Sequence, residues 1–166
     1  IWLHKGIRSR ALLIKSDEAM LLTEFLYEAI YQPEGTQKVP RTVLQQPMIW
    51  AYVKDFGKLP DDICLVAVVD GLIVGATWSR LGCSYGKVDD STPELAISVY
   101  PEYRGKGIGT RLLSSLLDAI HKIGYGKVSL SVDKSNYAVG MYLKAGFEIL
   151  EEREDDYLMV KRWKNE

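Results

Sequence analysis

Between residues 101 and 113 the chain reads PEYRGKGIGTRLL, with glycines at 105, 107 and 109 running into an apolar pattern of helical spacing. Glycine loses more conformational entropy on folding than any other residue, so its repeated use at a helix start implies that something needs the bare backbone. A helix start offers unpaired N–H groups and the positive end of the macrodipole, a combination suited to phosphate. The amides of Gly105, Lys106, Gly107, Ile108, Gly109 and Thr110 are expected to line one concavity, with Arg104 and Lys106 adding positive charge, and the predicted guest is a diphosphate. A ligand-free strand-to-helix turn that merely needs flexible residues is the alternative. Neither common nucleotide motif fits. A dinucleotide fingerprint from Gly105 or Gly107 needs glycine where the chain has Thr110 or Leu112, and the Gly-Lys pairs at 57, 86, 105 and 126 precede Leu59, Val88, Gly107 and Val128, not the serine or threonine of a Walker loop.

Other reactive residue types form weaker patterns. GCSYG, residues 82–86, matches the spacing of a nucleophile elbow, but KVDDSTP follows where a helix is required, and His4 and His121 are the only histidines. Ser84 is therefore assigned to a loop between two strands. His121 falls at the end of the glycine-loop helix, where an imidazole suits the dipole, and is not read as catalytic. The acidic stretch EILEEREDDY is read as a solvated hairpin face in preference to a docking surface. Cys64 and Cys83 provide neither a disulfide framework nor a metal signature; no metal site is expected, and a reducing cytosol is.

The elements that must position the glycine loop follow from periodicity. Ile7 to Ile14 reads as a first strand, and Ser16 as an N-cap with Asp17 and Glu18 in the first turn of helix one. Leu21, Leu22, Phe25, Leu26, Ala29 and Ile30 recur at helical spacing, and QPEG ends that helix. A second, less regular helix spans about Val43 to Phe56, interrupted by Pro47 and closed by Gly57. Two β-rich runs split by Asp70-Gly71 predict a hairpin, strands two and three. PELAISVY is strand four, and Gly107 to about Ile123 is the helix that the glycines open. KVSLSV is strand five, NYAVGMYLKAG a short helix, and FEILEE with DYLMVKRW a closing antiparallel pair. The expected fold is a mixed, mostly antiparallel sheet of the α/β or α+β class, about six to seven strands flanked by about four helices.

At 166 residues the chain fits one domain with a sizeable core. A net charge of −1 removes the usual electrostatic argument for nucleic acid or an anionic membrane. No apolar leader or membrane-length run occurs, so a soluble, cytoplasmic protein is expected. The first few residues are read as disordered or foreign to the native chain and carry no functional weight.

PELAISVYPEYRGKGIGTRLL followed by LSVDKSNYAVGMYLKAGFEIL closely resembles the GNAT superfamily of acetyl-CoA-dependent N-acetyltransferases, over about residues 60 to 155. The first block carries the family's pattern at Arg104, Gly107 and Gly109, and the second at Asn136, Ala138, Tyr142, Gly146 and Phe147. The resemblance implies that residues 105 to 110 hold the diphosphate of coenzyme A. It also implies that strand four splays from strand five, a parallel neighbour, exposing the backbone of Ile97, Ser98 and Val99 to the pantetheine arm. By the same resemblance Asn136 would lie beside the cofactor, and Tyr142 near its sulfur. An alkylammonium of pKa about 10.4 must lose a proton before it attacks a thioester. Glu94 opens strand four on the face of Ala96 and Ser98, and the resemblance makes it the candidate base, Val99 N–H the donor to the developing oxyanion, and Tyr142 the proton source for the leaving thiolate. The expected partners are acetyl-CoA and an amine acceptor of open identity, bound between helices one and two, the 31–42 loop and the final hairpin; Tyr27, Tyr31, Trp50 and Trp78 are candidates for its lining, with core packing expected for at least half of them. A homodimer is left open. The alternatives are a non-catalytic acyl-CoA-binding sensor or scaffold, and a nucleotide-binding module indifferent to coenzyme A.

Overall fold

The computed structural model describes residues 3–4, 6–11, 18–82 and 84–164. Among the described residues eight strands form one sheet: β1 (Leu3–His4), β2 (Ile7–Ala11), β3 (Ile63–Val69), β4 (Leu72–Arg80), β5 (Glu94–Val99), β6 (Lys127–Asp133), β7 (Glu148–Glu152) and β8 (Asp156–Arg162). Their spatial order is β1-β2-β3-β4-β5-β6-β8-β7. The expected seven strands are all present, and Leu3–His4, in the opening segment read as disordered, pairs with Arg8 and Ile7 as one more. The predicted fourth and fifth strands are thus β5 and β6. Their parallel pairing is the exception among antiparallel neighbours.

Asp70 and Gly71 turn β3 into β4 with φ of 49° and 81°, both left-handed, the geometry whose twist suits a two-residue hairpin. The first strand is described over Ile7–Ala11, and the rest of its predicted range, with the expected cap Ser16 and Asp17, lies outside the described residues. Helix α1 runs Ala19–Ala29. The predicted second helix divides: a 3₁₀ turn, Arg41–Gln45, precedes the single turn of α2, Pro47–Trp50, and further turns lead to Gly57 at φ 95°. Pro47 starts a helix instead of interrupting one, because at the first helical position its missing N–H costs nothing.

Strand alternation sends each face of the sheet to a different core. On one face Leu22, Phe25 and Leu26 of α1 pack against Val66, Ala76 and Trp78. On the other lie α3 (Ile108–Lys122) and α4 (Ala138–Lys144). There Leu113, Leu116 and Ile120 bury against Leu95, Val128, Leu130 and Met159, while Ile108 and Leu112 reach Ala67, Val74 and Val99. Each such side chain contributes about 1.5–3 kcal/mol by leaving water, which fixes α3, and hence the glycine loop, against the sheet.

One register pair, Glu94 with Ser129, joins β5 to β6, reinforced by Ser129 N–H donating to Pro93 O at 3.0 Å. Beyond it the two strands part. Tyr100 N–H donates to Val74 O on the β4 side at 2.9 Å. Alternation therefore turns the polar backbone groups of Ile97 and Val99 the other way, into the gap.

Candidate active site

The glycine loop sits where β5 hands over to α3, at the mouth of that gap. Gly105 and Gly107 have φ of 74° and 80°, and Gly107 is the residue before the helix. Left-handed backbone accounts for both glycines, since L side chains rarely adopt it. Gly109 is different: it is helical, and a Cβ there would meet only Met141 Sδ at 3.7 Å and Val99 Cγ2 at 4.0 Å, ordinary contacts. Neither conformation nor packing demands glycine at 109. The N–H groups of Ile108, Gly109 and Thr110 precede the bond from Arg111 N–H to Gly107 O, so they belong to the unsatisfied first turn of a 15-residue helix.

The two expected cations diverge. Arg104 Nε donates to Val99 O at 2.8 Å, and its guanidinium approaches Glu28 at 3.5 Å, so it braces β5 and α1. Lys106 Nζ stands 5.5 Å from the centroid of the Tyr103 ring. Ser98 donates its hydroxyl to Phe25 O at 2.7 Å. Asn136 Oδ1 accepts from Ala138 N–H at 2.9 Å, which steadies the start of α4. A cavity of about 410 Å³ between α3, α4 and β8 is lined by Thr110, Ser114, Met141 and Lys144 among others.

Glu94 is 2% exposed. Its Oε2 accepts the Gly86 N–H at 3.0 Å and the Tyr52 hydroxyl, whereas Oε1, also buried, has no hydrogen-bond partner. Burial disfavours the charged carboxylate and outweighs the bonds from Tyr52 and Gly86, the nearby Ser84 backbone and the charge of Arg153, so its pKa is raised from 4.5 to about 7. Half-ionised near neutrality, with one oxygen held and the other buried without a partner, this carboxyl can take and return a proton.

Tyr142, 6% exposed, packs edge-on to Phe147 at 5.7 Å between centroids. Burial, with a smaller contribution from Tyr137, pushes its hydroxyl well above the ordinary phenol range and keeps it protonated. Of the four aromatic residues expected near the acceptor, Tyr27 and Trp78 are core, with polar atoms donating to Val39 O and Tyr52 O. Trp50 is exposed, and Tyr31 ties the end of α1 to the β6–α4 loop through its bond to Ser135 O at 3.0 Å.

Tyr52 and Gly86 escaped the sequence reading. Tyr52 lay inside an apolar run that looked like helix. Gly86 lay inside the false nucleophile motif, whose Ser84 donates its hydroxyl to Met48 O in a loop. His121, likewise set aside, stacks on Trp163 at 4.9 Å.

The model of the acetyltransferase (GNAT) family matches residues 25–147. An acetyltransferase of Pectobacterium atrosepticum is 34% identical over 91 residues, covering 54% of this chain and 60% of that protein. One of Yersinia pestis is 31% identical over 102 residues, covering 61% and 65%. The chain thus spans less than two thirds of the length of these relatives. Among solved structures, the PaiA N-acetyltransferase of Thermoplasma acidophilum, in complex with coenzyme A, superposes with a TM-score of 0.66 at 23% identity, covering 95% of this chain and 99% of that one. A Salmonella typhimurium protein solved with its cofactor acetyl-CoA gives 0.68 at 19% identity, covering 98% and 96%. Among the described residues no helix is long and apolar enough to cross a membrane. The parted strands, the glycine-started helix between them and the family match lead to one assignment: this chain belongs to the GNAT acetyltransferase family.

Proposed function

We propose that the protein transfers an acetyl group from acetyl-CoA directly to a primary amine, with Glu94 as general base. The observation that carries this reading is Glu94 itself, a buried carboxyl of pKa about 7 with one oxygen unpartnered, at the edge of the gap between β5 and β6. The residues present fit the cofactor: the first-turn amides of α3 suit a diphosphate, and at Gly109 the backbone stays bare where packing would allow a side chain. Gly105, Lys106, Gly107, Ile108, Gly109 and Thr110 would hold the diphosphate, Ile97 and Val99 the arm through their gap-facing backbone, and Asn136 would flank it. Bound there, acetyl-CoA supplies an acetyl group activated as a thioester.

The chain's own groups do the rest. Glu94 Oε1 accepts a proton from the ammonium, directly or through water; a base near 7 is better matched to an amine than an ordinary carboxylate. Val99 N–H, turned into the gap, can bear charge on a carbonyl oxygen. Tyr142, held neutral, can donate a hydrogen bond to the leaving thiolate, although burial makes it a weaker acid than a free phenol. The buried thiol of Cys64 suits a reducing compartment and takes no part in transfer.

Calorimetry with coenzyme A and thiol release from acetyl-CoA across a panel of primary amines test the reading. Binding followed by amine-dependent release supports it; folded protein that binds neither form of coenzyme A overturns it, and binding without turnover on any amine leaves an acyl-CoA-binding module. Gly109→Ala adds a check, because alanine stabilises a ligand-free helix by up to about 1 kcal/mol. A gain in melting temperature together with weakened coenzyme A binding is the expected result.

A further inference from the structure

We propose that Tyr52 is the positioning residue of this base: its hydroxyl, with the Gly86 N–H, fixes Oε2 of Glu94 and so presents Oε1 as the oxygen that meets the acceptor. The assignment rests on Glu94 being the base. Two elements close on the same carboxylate oxygen from different directions. Tyr52 arrives from the turns after α2, and its own carbonyl accepts the indole N–H of Trp78 at 3.0 Å, a side chain 1% exposed, which pins its main chain to the core. Gly86 arrives from the β4–β5 loop, where its carbonyl accepts the Ser129 hydroxyl at 2.6 Å. A Cβ at Gly86 would stand 2.7 Å from Glu94 Oε2 and equally close to the backbone of Leu130 and Ser131, so only glycine brings its N–H this near. Two donors on one oxygen stop the carboxyl from rotating, and its free lone pairs then point one way.

The other groups facing Glu94 leave this arrangement to Tyr52 and Gly86. The Ser84 backbone, in the same loop, only favours the carboxylate electrostatically, and Arg153, in the β7–β8 turn, adds only charge, its guanidinium bonding Tyr85 O at 2.7 Å and Asp156 at 3.2 Å. Arg80, directly across on β4, directs its donors to Asp62, Ala51 O and Lys54 O. A phenolic hydrogen bond favours the ionised carboxylate, so its loss raises the pKa and moves the acid limb of activity to higher pH.

The test is the ¹³Cδ titration of labelled Glu94, assigned by loss of its resonance in Glu94→Gln, in wild type and Tyr52→Phe. The wild-type midpoint is expected at about 7, and Tyr52→Phe is expected to raise it by about one unit. The acid limb of kcat/KM for an amine turned over by wild type should move by the same amount, with KM for acetyl-CoA unchanged. In the Glu94→Gln background, Tyr52→Phe should cost nothing further. A folded Tyr52→Phe protein with an unmoved midpoint overturns the role of Tyr52 and leaves Glu94 as base untouched. A wild-type midpoint near 4.5 overturns both. Should Tyr52→Phe fail to fold, the ¹³Cζ resonance of Tyr52 in the wild-type protein decides: it moves with the Glu94 midpoint if the contact governs ionisation, and a flat response overturns it.

Discussion

Arg80 and Glu94 face each other across neighbouring strands, 5% and 2% exposed, and are treated in opposite ways. Arg80 meets Asp62 at 3.3 and 3.0 Å and two backbone carbonyls at 3.1 and 2.6 Å, so its charge is balanced and its donors are occupied. Glu94 has two donors crowded on one oxygen and none on the other, and it faces Tyr52, a neutral partner, at close range. A buried charge with every bond made holds structure together. One left half-satisfied is costly to the fold, and burial of its unpartnered oxygen raises the affinity of the carboxyl for a proton.

Four experiments test that contrast. The largest effect belongs to Glu94→Gln, expected to lower kcat/KM by about 10²–10⁴-fold with coenzyme A affinity unchanged by calorimetry; a rate within threefold of wild type would erase the distinction. Asp62→Ala should act on stability instead, costing about 3–5 kcal/mol in denaturant melts because it strands a buried guanidinium, while the folded fraction keeps its kcat. The third is pH dependence. Glu94 has a folded pKa of about 7 against 4.5 unfolded, so the native state holds the extra proton between those values. Stability present below 4.5 is therefore lost as pH rises to 7, by about 3 kcal/mol from this group, and Glu94→Gln should flatten that part of the curve. The smallest effect is Glu24→Gln, which breaks an exposed 2.8 Å pair with Arg41; its change in melting temperature should fall below those of both buried substitutions and vanish in high salt.

Local rules made most of the fold legible. Asp70-Gly71 announced its hairpin, the 3- and 4-residue spacing of Leu112, Leu113, Leu116 and Ile120 announced α3, and the alternate glycines announced a strand-to-helix junction. Pro47 was misread because the same residue breaks a helix in the middle and starts one at the first position, and only the backbone before it distinguishes the two. Glu94 could be placed on its face by parity. Its environment could not, since Tyr52 lies 42 residues away and Gly86 8 residues away, on segments whose meeting depends on tertiary packing. The role of Arg104 as a brace was hidden for the same reason: Glu28 is 76 residues distant in the chain.

A sheet whose fifth and sixth strands share a single rung is mechanically two panels on one pin. The amides of Ile97 and Val99 should exchange with deuterium soon after dilution into D₂O when the protein is alone, and slowly once a guest spans the opening. Coenzyme A then serves as a temporary stitch between the panels, and unloaded protein should soften along this seam before either half melts.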